Sequence, residues 1–195
     1  DFLVVGAGPS GSRFARRAAA DGRDVLVLER GEVGKPLACS GHVSTDVWDF
    51  TPEGAREELL QNEVYGARFH VGGPGSADHP FYKDEVVSNV IDRVGLDRTL
   101  ADAARDAGAD LREDHSVSEV DEHGDHVAVT ATTPDGTERF RAKMVAGCDG
   151  PVSRVRRDLG LPEPAEKLQG VLGFTEEGDP GDFVDVHLTA PQFFA

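Results

Sequence analysis

The feature that most constrains the fold is an apolar run leading straight into closely spaced glycines. Phe2-Leu3-Val4-Val5 is continuous hydrophobic sequence, the pattern of a strand buried on both faces. It runs into Gly6-Ala7-Gly8-Pro9-Ser10-Gly11. A helix is expected from there, with Pro9 in its first turn, Phe14, Ala15, Ala18 and Ala19 on one face, and Gly22 as its stop. Val25-Leu26-Val27-Leu28 is a second buried strand that ends at Glu29-Arg30. Strand, turn, helix and strand take about thirty residues, the size of one βαβ crossover. In that frame G-x-G-x-x-G has a mechanical meaning. Gly6 permits the tight turn, Gly8 lets backbone approach a pyrophosphate, and Gly11 lets helix and strand pack closely. The phosphates then meet free N–H groups at the positive end of the helix dipole. Glu29, at the end of the second strand, stands where a carboxylate accepts hydrogen bonds from ribose hydroxyls. The motif predicts a dinucleotide site and leaves FAD and NAD(P) both open, with Glu29 disfavouring a 2′-phosphate.

Charge excludes one class of partner. Asp and Glu number 36 against 20 Lys and Arg, a net charge of −16, and only four of the basic residues are lysines (Lys35, Lys83, Lys143, Lys167). The acids are scattered rather than gathered in a tail, and phosphate backbones need clustered Lys and Arg, so nucleic acid is not an expected partner. Scarce lysine with abundant aspartate is the composition of halophilic proteins. At about 1 M salt the Debye length shrinks to about 3 Å and such a surface stops repelling itself. Two cysteines, Cys39 and Cys148, are too few for a disulfide framework and have no C-x-x-C spacing for zinc.

Further along, residues 31–51 read as a long irregular loop, of the kind that carries function. Asp97 to Ala107 reads as a helix with Leu96, Leu100, Ala103, Ala104 and Ala107 inward, followed by a third parallel strand at Asp110 to Arg112. Short strands are expected at Val117–Val120, Val127–Thr132 and Arg139–Ala146, the last two joined by Thr133-Pro134-Asp135-Gly136 turn chemistry. Asp121-Glu122-His123-Gly124-Asp125-His126 reads as a solvated hairpin turn rather than a metal site, because its ligands share no rigid element. Ser153 is placed to cap a short helix ending near Gly160. After Pro164, strands around Val171 and Val184 look like the start of a second sheet. The chain starts on a strand without lead-in and stops at Phe193-Phe194-Ala195 without a cap, so it reads as clipped slightly in front and more behind.

Asp149-Gly150-Pro151-Val152-Ser153-Arg154-Val155-Arg156 follows an apolar strand and fits the D-G-x-x-S-x-h-R string of the aromatic-hydroxylase-like flavoproteins. The order of the glycine motif, Glu29, Arg93 before a helix and then Asp149-Gly150 resembles that superfamily throughout residues 1 to about 160. Gly34-Lys35-Pro36-Leu37-Ala38-Cys39-Ser40-Gly41-His42-Val43-Ser44 resembles the G-x-P-x-x-C-G-G-x-x-S loop of the geranylgeranyl reductase family. Val90 to Gly108, and Ala190 to Ala195 as the opening of a substrate-pocket motif, look like the same family. Ser40 and His42 stand where that family has Gly-rich sequence.

The resemblance implies an α/β fold. A Rossmann-like FAD-binding domain of the glutathione-reductase and aromatic-hydroxylase type, with a parallel sheet and an antiparallel β-meander, would span residues 1–162. Strands of a substrate domain would be inserted near 64–91, and 163–195 would begin that β-rich second domain. The implied cofactor is FAD, contacted by Gly6, Gly8, Pro9, Ser10, Gly11, Glu29, Arg30, Cys39, Ser40, His42, Arg93, Val117 (through backbone, at the adenine), Asp149 and Gly150. Cys39 would lie near the isoalloxazine, with no catalytic residue assigned. Phe193 and Phe194 would face the substrate, while Trp48 and Phe50 either line a pocket or simply pack.

The implied activity is reduction of C=C bonds in the geranylgeranyl chains of membrane ether lipids. The partners are then an isoprenoid lipid and an electron donor, either NAD(P)H or a ferredoxin-type protein, and the setting is cytoplasmic and peripheral to the membrane. A flavin monooxygenase or quinone oxidoreductase shares the first two motifs, and a non-catalytic prenyl-binding escort is the reading from another class. The acidic surface gives the first testable expectation: melting temperature rises with KCl into the molar range. A flat or falling melting temperature between dilute buffer and molar KCl contradicts the halophilic reading.

Overall fold

The computed structural model describes residues 1–37, 39–72, 75–174 and 181–188. The chain opens with β1 (Phe2–Val5), α1 (Pro9–Ala20) and β2 (Val25–Leu28). A short strand β3 (His42–Ser44) and a 3₁₀ turn over Thr45–Phe50 lead to α2 (Ala55–Leu59). Four strands follow, β4 (Leu60–Val64), β5 (Gly66–Val71), β6 (Asp78–Tyr82) and β7 (Ser88–Ile91), and then the helix α3 (Arg93–Asp106). The rest comprises β8 (Asp110–Arg112), β9 (Ser116–Glu122), β10 (Val127–Thr133), β11 (Gly136–Ala142), β12 (Met144–Gly147), α4 (Arg154–Asp158) and β13 (Phe183–Leu188).

A parallel sheet in the order β12-β1-β2-β8 forms the centre. Successive side chains on a strand point to opposite faces, which explains why its strands read as unbroken apolar runs. Val4 and Val27 meet Ala15 and Ala19 of α1 and Ala101 and Ala104 of α3 on one face. Leu3, Val5 and Leu28 meet Val120, Val129 and Ala131 of the antiparallel β11-β10-β9 meander on the other. Small residues where α1 crosses α3 let both helices lie close to the sheet. The α/β architecture, parallel sheet plus meander, is the one the sequence resemblance implies.

Two smaller three-stranded sheets are built from the strands between β2 and β8 in chain order, one of them joined by β13 from the end of the chain. One has the order β3-β7-β4 and is antiparallel throughout. The other has the order β13-β5-β6, with β13 parallel to β5 and β6 antiparallel to it. The late strand expected around Val184 therefore exists, and its neighbour is a strand from the 64–91 region.

Several expectations are corrected. Residues 31–51 are not wholly irregular, because β3 forms by pairing with β7; three residues carry no periodic signal of their own. The helix expected from Asp97 begins four residues earlier, at Arg93, since Asp92 accepts the Gly95 N–H at 2.9 Å and caps it. Ala101 is fully buried in that helix, while Ala103 and Ala107 are only half-buried. The run Arg139–Ala146 is split at Lys143, where the chain leaves the meander and enters the parallel sheet. Val171 lies outside any strand and is almost fully exposed, having no partner strand among the described residues. Phe14 is turned one step off the buried face of α1 and rests edge-on against Phe2, ring centroids 5.4 Å apart. The Asp121–His126 segment is the β9–β10 turn, as expected.

Two glycines join the layers. Gly6 has φ +97°, and a Cβ there would strike the backbone carbonyl of Cys148. A Cβ on Gly11 would strike the Gly6 carbonyl. Gly11→Ala should therefore lower stability by about 1–3 kcal/mol or more, the range for overpacking. The check is the urea midpoint, with Gly22→Ala as a control whose added methyl meets nothing but whose φ of +74° carries backbone strain alone.

Candidate functional site

The carboxyl ends of β1, β2 and β12 meet at the two glycines, where open α/β sheets receive ligands. The turn from β1 into α1 carries Gly6, Gly8, Pro9, Ser10 and Gly11. Pro9 is the first helical residue, and Gly8, at the N-cap, offers no side chain to the helix end. The first bond into the helix runs from the Ser12 N–H to the Gly8 carbonyl at 3.0 Å, so the Ser10 and Gly11 amides precede the ladder. No acidic side chain occupies that first turn. Ser12, fully buried, donates its hydroxyl to the Ala7 carbonyl at 2.8 Å and fixes the turn from beneath. Ser12 escaped the sequence reading because a serine just past the last motif glycine carries no signal.

Gly8 differs from its neighbours. Its backbone is one any residue can adopt, at φ −65° and ψ −177°, and a Cβ there would meet nothing within 4 Å. The protein's own packing does not require glycine at this position, and its open flank leaves room for a ligand to approach the backbone closely. Glu29 sits at the exit of β2, and its Oε2 accepts the Ala7 N–H at 2.7 Å, which brings the carboxylate to the turn. The Glu29 carbonyl accepts the His115 N–H at 2.8 Å, and Val117 lies two residues further along the same chain, on β9. Arg30 is exposed beside Glu29.

Asp149 and Gly150 follow β12. Asp149 Oδ2 accepts the Arg154 N–H at 2.5 Å and the Val155 N–H at 3.0 Å, so one oxygen of the motif acid caps α4. Ser153 adds a second cap, its Oγ accepting the Arg156 N–H at 2.9 Å. The other oxygen, Asp149 Oδ1, is buried with no hydrogen-bond partner among the described residues, an expense that a ligand hydroxyl would remove. Cys148, next to it, packs into the core against α1, and burial, then the Asp149 charge, push its thiol upward.

Arg93 opens α3. Its guanidinium meets Asp97 at 2.5 Å, one turn along the helix, with both side chains more than four-fifths buried. Burial raises the Asp97 carboxyl above its ordinary range; Arg93 opposes the rise, and the charge of Glu29 adds to it. The loop of residues 34–42 is docked on this same strand-to-helix junction. A Cβ on Gly34 would press on Val94, and one on Gly41 would strike the Ile91 carbonyl. The loop thus holds Cys39 half-buried and Ser40 exposed. His42 is also exposed, its Nε2 2.6 Å from Ser88 Oγ on the adjacent strand.

Trp48 packs against the Ile91–Leu59 cluster, with its Nε1 buried and without a partner among the described residues. Phe50 is part-exposed beneath the Arg13 guanidinium, 4.2 Å from its ring centre. Phe193 and Phe194, the expected substrate-facing pair, lie outside the described residues. Direct contacts unite the glycine turn, Glu29 and the Asp149 segment. Arg93 joins through Asp97 and the field of Glu29, and the 34–42 loop through its docking beside Arg93.

The sequence matches the FAD binding domain family over residues 1–190. It is 34% identical over 167 residues to a digeranylgeranylglycerophospholipid reductase of Thermoplasma acidophilum, an alignment that covers 83% of this chain and 42% of that protein. A geranylgeranyl bacteriochlorophyll reductase-like protein of the same organism, known from its crystal structure, superposes with a TM-score of 0.77 at 30% identity. That superposition covers 96% of this chain and 50% of the other. An anhydrotetracycline hydroxylase from Streptomyces rimosus superposes at TM-score 0.66 and 27% identity, over 86% of this chain and 35% of the other. The chain spans about half the length, or less, of these relatives.

The geometry separates two glycine substitutions. Gly8→Ala should cost at most about 1 kcal/mol of stability, as a poorer N-cap, yet abolish measurable FAD binding. Thermal melts and flavin titrations of that variant check both halves; unchanged FAD affinity would remove Gly8 from the site.

Proposed function

Since the chain belongs to the FAD binding domain family, we propose that it holds FAD for a reductase acting on C=C bonds of geranylgeranyl chains in lipid precursors. The observation that carries the cofactor part is the open flank of Gly8 at the head of α1, with Glu29 and the unpartnered Asp149 Oδ1 as further polar contacts. Ser10 and Gly11 amides and the α1 dipole receive the pyrophosphate. Glu29, already held by Ala7, accepts from ribose hydroxyls, with Arg30 beside it and the Val117 backbone at the adenine. Arg93, Asp149 and Gly150 complete the grip. Cys39, Ser40 and His42 face the flavin ring from the docked loop.

FAD, when bound and reduced, would supply a hydride to one alkene carbon while the other carbon takes a proton; the protein would orient ring and alkene and keep bulk water out. The names of the relatives support the substrate class. Residues 64–91 and 163–195 belong in this reading to a second, substrate-facing domain. The paired strands β5 and β13 support that division. The reductant is NAD(P)H or a ferredoxin-type protein. No helix among the described residues is long and apolar enough to cross a membrane. In this reading the lipid substrate is met by peripheral contact, and the exposed acids favour high ionic strength.

The test uses the full gene product containing this chain, loaded with FAD, reduced chemically and given a geranylgeranyl ether lipid. Mass spectrometry should show a gain of two hydrogens per double bond. An oxygenated aromatic product with prenyl lipids untouched would overturn the reductase reading in favour of a hydroxylase. Glu29→Ala should weaken FAD binding by about 1.5–3 kcal/mol, the worth of hydrogen bonds to a charged group. A flavin titration measures it.

A further inference from the structure

The Arg93–Asp97 pair is costly where it stands. The guanidinium and carboxylate are 14% and 13% exposed. They touch at 2.5 Å as an ion pair, Nη1 of Arg93 on Oδ1 of Asp97. Among the described residues no other side-chain hydrogen bond from Arg93 relieves the burial. A buried ion pair of this kind is seldom retained for stability, because apolar residues of similar volume do as well or better. Removing one partner, by contrast, frees the other to move or leaves its charge uncompensated.

The segments adjoining the pair are tied to one another and lead to the proposed cofactor site. Asp92 caps α3 through Gly95, so the helix start is fixed. Gly34 and Gly41 press the 34–42 loop onto Val94 and Ile91, on either side of Arg93 in the chain. Glu29, bonded to Ala7 in the glycine turn, is near enough for its charge to act on Asp97. Arg93 brings to this junction a guanidinium with five donors in a planar fork suited to phosphate or carbonyl oxygens.

We propose that Asp97 is a positioning residue for FAD: it holds the Arg93 guanidinium in one orientation at the head of α3, and FAD affinity depends on that orientation. The proposal rests on the reading that Arg93 contacts FAD. Asp97 does not touch the cofactor. Burial that holds its carboxyl at raised proton affinity, with Arg93 opposing, is consistent with a group whose role is to face one partner.

The experiment is a double-mutant cycle on the full gene product, with FAD dissociation constants from flavin fluorescence and melting temperatures recorded without FAD. Asp97→Asn should weaken FAD binding about tenfold, and Arg93→Met by at least as much. The double variant should be within about twofold of Arg93→Met alone. A dissociation constant for Asp97→Asn within twofold of wild type, with only the melting temperature lowered, makes the pair structural and overturns the proposal. So does a double variant whose losses multiply. If Asp97→Asn does not fold, Asp97→Glu carries the test: it keeps the charge but displaces the guanidinium by a methylene, and an unchanged dissociation constant overturns the proposal. A wild-type protein that binds no FAD fails the underlying cofactor reading instead. A wild type that binds FAD with Arg93→Met unaffected fails the placement of Arg93 alone.

Discussion

Three backbone segments cross at van der Waals distance beneath the β1–α1 turn, and the rest of the molecule is arranged around that crossing. Gly11 of α1 lies on the Gly6 carbonyl, and Gly6 lies on the Cys148 carbonyl at the exit of β12. No side chain fits between them. The contact fixes the tilt of α1 against the sheet and the entry of the Asp149 segment. It also aims the first amides of α1 outward, where an anion can reach them. Ser12 and Glu29 brace the same turn from inside and from the side. Gly8, two residues after Gly6, has an open flank. The contrast between crowded and open glycines separates what the fold needs from what a ligand needs.

Around this crossing the charge is distributed unevenly. Asp21, Asp24, Asp46, Asp49, Asp102, Asp106, Asp110 and Asp114 are all exposed. Most ion pairs are likewise at the surface, where each contributes about 0–1 kcal/mol and less in salt. The Arg93–Asp97 pair stands apart in being sheltered on both sides. Screening by salt reaches such a sheltered pair more weakly than it reaches the surface pairs.

Sequence made the first thirty residues and the eight-residue string after Met144-Val145-Ala146-Gly147 legible, since both are local: apolar run, glycine spacing, helix start, cap. It also singled out residues 34–44, though not how they are held. That depends on Gly34 and Gly41 meeting Val94 and Ile91, more than forty-five residues away in sequence. β3 was invisible because its existence depends on β7, and β13 had no visible partner because β5 lies 117 residues earlier along the register Phe183↔Gly66. The spacing of Arg93 and Asp97 was readable as one helical turn. Their burial was not, because it comes from tertiary packing. Asp149 looked like a ligand-binding acid, yet one of its oxygens is spent on the start of α4 and only the other is left over.

The account stands on the head of α1 as the seat of the FAD pyrophosphate. Backbone amide chemical shifts recorded during an FAD titration test this most directly, because the groups concerned are amides. The largest shifts should fall on Gly8, Ser10 and Gly11, with Ala7 following through its bond to Glu29. Amides of the β9–β10 turn, at His123 to Asp125, should stay still. Saturable FAD binding with Gly8, Ser10 and Gly11 unmoved, and the shifts concentrated elsewhere, would contradict it.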